Sequence, residues 1–185
     1  MDKKNILLLT TGGTIASVPG GQGLEPHRSG VMERELEQLR TYYRITVRDL
    51  ICLDSSNITP DVWQLIARHI FEERAGFDGV VVSHGTDTMA YTAAALSYLI
   101  QGAAKPIILT GAQKPISFDS TDSKVNLTDA FGCACSDTLH GVMIVFNGKV
   151  IQGTRACKTR SKSYEAFSSI NYPYLAVLQD GCILQ

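Results

Sequence analysis

Residues 5–14 read NILLLTTGGT, an apolar run that ends in two threonines and two glycines. A second stretch, residues 79–88, repeats this pattern as GVVVSHGTDT. Short apolar runs with little alternation are typical of strands buried on both faces of a parallel sheet. Ligands of such sheets bind beyond the carboxyl ends of the strands, so we expect both glycine-bearing turns to lie at one crevice.

Strands and helices alternate along the rest of the chain. Further strands are expected at residues 107–109 and 142–146, and residues 43–50 alternate enough to suit a strand near a sheet edge. Helices are expected over residues 31–40, 60–73, 88–100 and 121–135, with Thr59 and Pro60 at the start of the second. This alternation predicts a three-layer α/β domain with right-handed crossovers.

The composition excludes several classes of protein. The chain has 185 residues, of which 44% are hydrophobic and 19% are charged, as in soluble globular proteins. Seventeen Lys and Arg against 18 Asp and Glu leave a net charge of -1, which offers no attraction for nucleic acid or an anionic membrane. The most apolar windows, residues 6–9 and 93–100, are far shorter than the ~20 residues of a membrane-spanning helix. We therefore expect neither nucleic acid nor membrane as a partner.

The cysteines and the first residues indicate a reducing compartment. Five cysteines are an odd number without a Cys-x-x-Cys pair, unlike the disulfide framework of a small secreted protein, so we expect small buried side chains. Residues 1–4 lead directly into the first strand, without the pattern of a signal peptide. Cys133 and Cys135 lack a partner at zinc spacing, so no metal site is expected. These features predict a cytoplasmic protein.

A third turn, TGAQ at residues 110–113, follows the strand expected at residues 107–109. Taken together, the sequences of these turns resemble those of a known protein family. TGGTIA at residues 11–16 and HGTDTM at residues 84–89 resemble the two signature segments of the bacterial-type L-asparaginases, and TGAQ and GTRACK (residues 153–158) fall where that family has further site segments. The resemblance extends from residue 6 to about residue 172. Within the family, the sequence is more similar to the cytoplasmic, type I branch. It implies a three-layer α/β sandwich with a mostly parallel central sheet and flavodoxin-like or Rossmann-like topology.

The resemblance also implies a role for each matching residue. Thr14 corresponds to the catalytic threonine that is the candidate nucleophile in converting L-asparagine to L-aspartate and ammonia. Thr86, Asp87 and Lys158 correspond to a hydrogen-bonded catalytic set, and Asp87 also receives the substrate's α-ammonium group. Ser55 falls where a serine binds the α-carboxylate. The implied substrate-binding positions are Ser55, Ser56, Gly85, Asp87 and Ala112, with no metal and no organic cofactor.

Amide hydrolysis needs the residue types found at these positions. A nucleophile, donors for the tetrahedral oxyanion and a proton for the departing ammonia are all required. A threonine hydroxyl is a weak nucleophile until a base takes its proton. We expect Lys158 to pass a proton in concert with Thr86, or to act electrostatically, rather than to wait as a neutral amine. By spacing alone, Lys158 also fits a solvated basic segment.

The loop at residues 17–26 departs from the family's pattern. Leu24 stands where the family often places a catalytic tyrosine, and this leaves the proton relay from Thr14 open. Three glycines and two prolines within ten residues predict a flexible lid.

Three polar residues near the turns are expected to have structural roles. His84 is expected to be structural because it ends a strand, and Asp122 and Asn126 are expected to belong to the scaffold. The phosphate-binding patterns GxxxxGK[ST] and GxGxxG are absent from the first turn, which weakens a nucleotide-binding interpretation.

The resemblance implies that residues 1–185 form the N-terminal domain, which carries most of the active site, and that a smaller C-terminal domain is absent from this chain. Residues 174–185 read as strand, turn and strand, so we expect the chain to stop partway through a longer protein. Family members are usually tetramers built as dimers of dimers, which predicts a homo-oligomer.

Two other functions stay open. One is the asparaginase-like subunit of a tRNA-dependent amidotransferase, which releases ammonia from glutamine for a partner. The other is a non-catalytic amino-acid sensor. The presence of both threonines and the lysine argues against the sensor.

Overall fold

The structure is a computed structural model that describes residues 2–21, 23–179 and 181–184. Its strands are β1 (Asn5–Gly12), β2 (Ser17–Gly20), β3 (Gly23–Pro26), β4 (Arg44–Leu53), β5 (Gly79–Ser83), β6 (Pro106–Thr110), β7 (Gly141–Phe146), β8 (Lys149–Gln152), β9 (Ala156–Lys158), β10 (Phe167–Ser169), β11 (Ala176–Gln179) and β12 (Cys182–Leu184). Its helices are α1 (Glu33–Leu39), α2 (Pro60–Glu73), α3 (Met89–Leu99) and α4 (Ser123–Ala134).

The main sheet has eight strands in the order β12-β11-β8-β7-β6-β5-β1-β4. Strands β4, β1, β5, β6 and β7 pair in parallel, whereas β8, β11 and β12 extend the sheet with antiparallel pairs. In order of appearance, the parallel strands follow the flavodoxin-like sequence 2-1-3-4-5. The predicted fold class is confirmed, and β4 lies at the sheet edge as its alternating pattern indicated.

Apolar residues cover both faces of the sheet and make three layers. Alternate residues of β1 point to opposite faces, so Ile6 and Leu8 pack on one side and Leu7 and Leu9 on the other, all fully buried. Helices α1 and α4 cover the first face, and α2 and α3 cover the second. Burial on both faces explains why the strand sequences are continuously apolar.

The helices follow the predicted positions with shorter ends. Helix α2 has the predicted bounds, with Pro60 in its first turn and Thr59 at the N-cap position, although the Thr59 hydroxyl makes no capping hydrogen bond. Helix α1 begins later than predicted because Ser29–Met32 form a 3₁₀ turn. No helix in the described part of the chain is long and apolar enough to cross a membrane.

The cysteines differ from the expectation of buried side chains. Cys133 is buried and Cys135 is half-buried, but Cys52, Cys157 and Cys182 are exposed, and all five are free thiols. Burial raises the pKa of the Cys133 thiol to about 12 and that of Cys135 to about 11. The exposed cysteines lie on β4, β9 and β12, which belong to sheet edges or to a small separate hairpin, so pattern alone did not locate them.

The strand order of the sheet reverses between β1 and β5. The connection that leaves β1 runs to β4 and carries α1 on one face, whereas the connection that leaves β5 runs to β6 and carries α3 on the other. Connections that leave neighbouring strands toward opposite faces open a crevice at the carboxyl ends of those strands. The turns that follow β1 and β5 therefore lie where an α/β fold of this kind binds its ligands.

Candidate active site

The turns after β1 and β5 pack directly against one another through glycine. A β-carbon on Gly13 would lie within 3.0 Å of the Gly85 nitrogen, and a β-carbon on Gly85 would lie 2.5 Å from Oγ of Ser55. Gly13 also has a φ of 79°, which a residue with a side chain rarely adopts. Thr14 and Thr86 directly follow these glycines, so the contact brings the two predicted catalytic threonines to one crevice.

Thr86, Asp87 and Lys158 form one hydrogen-bonded group. Nζ of Lys158 donates to Oγ1 of Thr86 at 2.7 Å and to Oδ1 of Asp87 at 2.7 Å. The Lys158 side chain is 15% exposed and that of Asp87 is 66% exposed. Thr86 is therefore held inside the protein, whereas the Asp87 carboxylate faces solvent at the crevice and can receive a cationic group.

Lys158 lies on a small hairpin that is distant along the chain from Thr86 and Asp87. Strands β9 and β10 pair antiparallel, with Lys158 opposite Phe167. Phe167 is buried, and its ring lies 5.0 Å from that of Phe146 at the end of β7. This aromatic contact holds the hairpin at the carboxyl edge of the sheet, which places the lysine 71 and 72 residues along the chain from Asp87 and Thr86.

Thr14 begins a short 3₁₀ turn, Thr14–Ala16, directly after β1. The next two residues, Ile15 and Ala16, are fully buried in the core beside α1 and α4. The hydroxyl of Ser17 donates to the Gly13 carbonyl at 2.9 Å. These contacts fix the turn on both sides of Thr14, which is itself half-buried.

The two serines after β4 have different surroundings. Ser55 is buried against Gly85, and its carbonyl accepts a hydrogen bond from the Thr88 hydroxyl at 2.7 Å. Ser56 is exposed, and both its backbone N–H and its hydroxyl donate to Asp54. These bonds lower the pKa of the Asp54 carboxyl. Ser55 therefore touches the crevice, whereas the Ser56 hydroxyl is already engaged beside it.

His84 is buried behind the turn. Its Nδ1 lies 2.7 Å from the Gly85 carbonyl oxygen and its Nε2 lies 2.9 Å from the Thr92 hydroxyl. Burial lowers the pKa of His84 to about 4. The imidazole is therefore neutral at neutral pH and hydrogen-bonded inside the fold, in agreement with the structural role expected for it.

Asp122 and Asn126 hold the third turn against helix α4. Asp122 accepts hydrogen bonds from the backbone N–H groups of Gln113 and Lys114, and from Nδ2 of Asn126. The same Asn126 nitrogen donates to the Gly111 carbonyl at 3.0 Å. Both residues are buried, and their bonds agree with the scaffold role expected from the sequence.

Among the described residues, no three His, Cys, Asp or Glu side chains come together in a group that could bind a metal ion. The polar groups at these turns include hydroxyls, the ammonium group of Lys158 and the carboxylate of Asp87. This set suits a zwitterionic substrate and a hydroxyl nucleophile.

Residues 5–184 match the protein family described as "Asparaginase, N-terminal". This chain belongs to the asparaginase family. The resemblance found in the signature segments is thereby confirmed.

Relatives in the asparaginase family include L-asparaginase 1 of Escherichia coli strain K12, which is 38% identical over 181 residues, covering 95% of this chain and 53% of that protein. The probable cytoplasmic L-asparaginase of Campylobacter jejuni has a solved structure with a TM-score of 0.86 and 32% identity, covering 98% of this chain and 56% of that one. A glutamyl-tRNA(Gln) amidotransferase component of Methanosphaera stadtmanae is 36% identical over 189 residues, covering 97% of this chain and 43% of that protein. The chain thus spans about half the length of the curated relatives it matches.

Gly85 and Ala112 are buried residues that were predicted to bind substrate. Both are buried, and Ala112 is 0% exposed and belongs to the hydrophobic core that also contains Ile15 and Ile116. Gly85 still borders the crevice through its contacts with Gly13 and Ser55. The roles predicted for Gly85 and Ala112 in substrate binding stay predictions.

The segment expected to be a flexible lid forms a β-hairpin. Strands β2 and β3 pair antiparallel, with Pro19 opposite Leu24, and Gln22 lies outside the described residues. Leu24 is exposed on this hairpin. Leu24 is an apolar side chain that cannot transfer a proton, and the prediction that it stands in the place of the family's tyrosine stays a prediction.

Sequence reasoning missed Gln113 as a site residue. Its Oε1 lies 3.3 Å from the Thr86 hydroxyl, and its Nε2 donates to the carbonyls of Ser161 and Ser163. The available signal was its place in the TGAQ turn, directly after a buried strand. An amide side chain at that place can reach the neighbouring turn.

Proposed function

We propose that this protein is an L-asparaginase, an amidohydrolase that converts L-asparagine and water to L-aspartate and ammonia. The observation that carries the proposal is the group formed by Lys158, Thr86 and Asp87, in which one ammonium group contacts both a hydroxyl and a carboxylate at 2.7 Å. Relatives named L-asparaginase at 38% identity support the same reaction.

In this proposal Thr14 is the nucleophile. Its oxygen attacks the side-chain amide carbon and forms a tetrahedral oxyanion, which backbone N–H groups at the glycine turns stabilise. The C–N bond then breaks, the nitrogen takes up the proton that the Thr14 hydroxyl gives up and leaves as ammonia, and an ester of Thr14 remains. Water hydrolyses this ester to give aspartate and restore the hydroxyl.

In the proposed reaction, Thr86 and Lys158 transfer protons, and Asp87 binds the positive charge of the substrate. Lys158 is already a hydrogen-bond donor to Thr86, so these two groups can relay the proton that Thr14 releases to the departing nitrogen, and Lys158 ends the step as an ammonium group. The exposed Asp87 carboxylate receives the α-ammonium of the substrate, and Ser55 receives its α-carboxylate. Ser56, Gly85 and Ala112 complete the proposed substrate-binding set.

We further propose that residues 1–185 are the N-terminal asparaginase domain, with a smaller C-terminal domain outside this chain. The length of the relatives, about twice that of this chain, supports this proposal. The full-length protein is proposed to be a cytoplasmic homo-oligomer, a tetramer built as a dimer of dimers. The five free thiols and the relative described as a probable cytoplasmic L-asparaginase support the compartment.

A component of a tRNA-dependent amidotransferase is the second candidate function, because a glutamyl-tRNA(Gln) amidotransferase relative is 36% identical over most of the chain. The decisive experiment measures ammonia release by the complete gene product from L-asparagine and from L-glutamine, each with and without tRNA. We expect release from L-asparagine and its loss in Thr14→Ala. Release from glutamine that requires tRNA would favour the amidotransferase, and tight aspartate binding with slow turnover would favour a sensor. The isolated 185 residues are expected to fold and to have little activity.

A further inference from the structure

The side-chain amide of Gln113 has one orientation that satisfies all of its contacts. Nε2 lies 3.1 Å from the Ser161 carbonyl and 3.0 Å from the Ser163 carbonyl. Carbonyl oxygens only accept hydrogen bonds, so the NH₂ group must face them. Oε1 then faces the Thr86 hydroxyl, at 3.3 Å.

This orientation fixes the direction of the Thr86 proton. The ammonium group of Lys158 has only donors, so it donates to Oγ1 of Thr86 at 2.7 Å. Oε1 of Gln113 can only accept, so the Thr86 O–H must donate to it. The oxygen of Thr86 thus presents a lone pair to Lys158 while its hydrogen points to Gln113.

The backbone of Gln113 is held independently of its side chain. Its N–H lies 2.9 Å and 3.1 Å from the two carboxylate oxygens of Asp122. Asp122 is buried and also bonds Asn126 on helix α4. The amide group therefore extends from a fixed turn, so its contacts restrain Thr86 and the segment after Lys158 rather than following their movements.

We propose that Gln113 is a positioning residue for amide hydrolysis, which sets the direction of the Thr86 proton and holds the segment at residues 159–163 that follows Lys158. This inference rests on the proposed function. An amide oxygen accepts a hydrogen bond without removing the proton, so Gln113 orients the Thr86 hydroxyl and leaves proton exchange to Lys158. The same amide keeps the lysine within reach by binding two carbonyls just beyond it in the chain.

The test compares two variants of the complete gene product with a matched control. Gln113→Met preserves the length of the side chain and removes every hydrogen bond of its amide group, so we expect kcat for L-asparagine to fall about tenfold while KM stays within about twofold. Gln64→Met on the exposed face of α2 is the control and should retain the wild-type kcat.

Gln113→Glu keeps an acceptor for Thr86 but turns a carboxylate toward two carbonyls. The added charge stabilises the ammonium form of Lys158, so we expect the pH dependence of kcat to move to higher pH. The same substitution at a side chain distant from Lys158, with a purely structural role, would not shift the pH dependence of kcat. Unchanged kcat in Gln113→Met, or an unchanged pH profile in Gln113→Glu, would overturn the proposal.

Proteolysis tests the restraint on the segment separately from activity. Trypsin cleaves after Arg160 and Lys162, which are exposed and flank the carbonyl of Ser161. Both Gln113 variants should be cut there faster than the wild type and the Gln64→Met control. An unchanged cleavage rate would refute the restraint. If the wild type releases no ammonia from either amide, the proposed function fails, whereas the cleavage rates still decide whether Gln113 holds the segment.

Discussion

Gly13 lies so close to Gly85 that a β-carbon on Gly13 would come within 3.0 Å of both the nitrogen and the α-carbon of Gly85. The two residues lie in the turns that follow β1 and β5, the neighbouring parallel strands between which the strand order of the sheet reverses. The position of Thr14 relative to Thr86 is therefore set by backbone contact rather than by flexible side chains. A site that depends on such contact is sensitive to a single methyl group.

Gly13→Ala is expected to disrupt both the fold and the proposed reaction. The alanine side chain meets the backbone of Gly85, and the φ of 79° is unfavourable for any residue with a β-carbon. We expect the free energy of unfolding to fall by at least about 2 kcal/mol and ammonia release to be lost. Urea unfolding and an ammonia assay check this result. Gly76→Ala, which meets no atom within 4 Å, is the control and should leave both quantities nearly unchanged.

Lys158→Met is expected to reduce kcat by about 100-fold or more, because it removes the only ammonium group bonded to Thr86 in the described structure and the proton path through it. The mutation preserves most of the volume of the half-buried stem, so urea unfolding should stay close to that of the wild type. Lys162→Met changes an exposed lysine four residues away and serves as the control. Full activity in Lys158→Met would remove this residue from the mechanism.

Most of the fold could be predicted from the sequence because its strands are buried on both faces. Continuous apolar runs located β1, β5, β6 and β7, and the proline and threonine signals located the start of α2. The small hairpins could not be located in this way. Strands β9 and β10 have three residues each, and β2 and β3 contain so much glycine and proline that their composition predicted a flexible lid.

Only some of the site residues could be predicted from the sequence. Whether a residue could be predicted depends on which part of the fold places it at the crevice. Residues in glycine-bearing turns after buried strands, such as Thr14 and Thr86, are located by the strands themselves. Lys158 was identified through family resemblance, because its hairpin depends on the distant contact between Phe167 and Phe146. Gln113 was missed because its role depends on carbonyls at residues 161 and 163, which no local pattern reveals.

Ser55→Ala and Ser56→Ala are expected to affect substrate binding differently. Ser55 lies against Gly85 at the crevice, whereas the Ser56 hydroxyl donates to Asp54. Loss of a hydroxyl that binds the α-carboxylate should raise KM for L-asparagine about tenfold with little change in kcat. Ser56→Ala should raise KM by less than about threefold, since Asp54 keeps its backbone bond from residue 56. Steady-state kinetics of both variants decide between the serines, and equal effects would contradict the distinction.

His84 should make the stability of the protein depend on pH. Its folded pKa is about 4, below the value of about 6.5 for an unperturbed histidine, because burial disfavours the charged ring. Between these two values the unfolded chain binds one proton more than the folded protein at this residue. The free energy of unfolding therefore falls as the pH falls through this range, and it is fully regained above about pH 6.5.

Comparison of the wild type with His84→Gln isolates this contribution. Glutamine does not titrate, and the carboxylates whose protonation also destabilises the protein at low pH, such as Asp49 and Asp54, are common to both proteins. Urea unfolding at pH 7.5 and at pH 4.5 should show that the wild type loses about 2–3 kcal/mol more than the variant. His140→Gln, at an exposed histidine, should lose as much as the wild type. Equal losses in wild type and His84→Gln would mean that the imidazole can take a proton without leaving its contacts with Gly85 and Thr92.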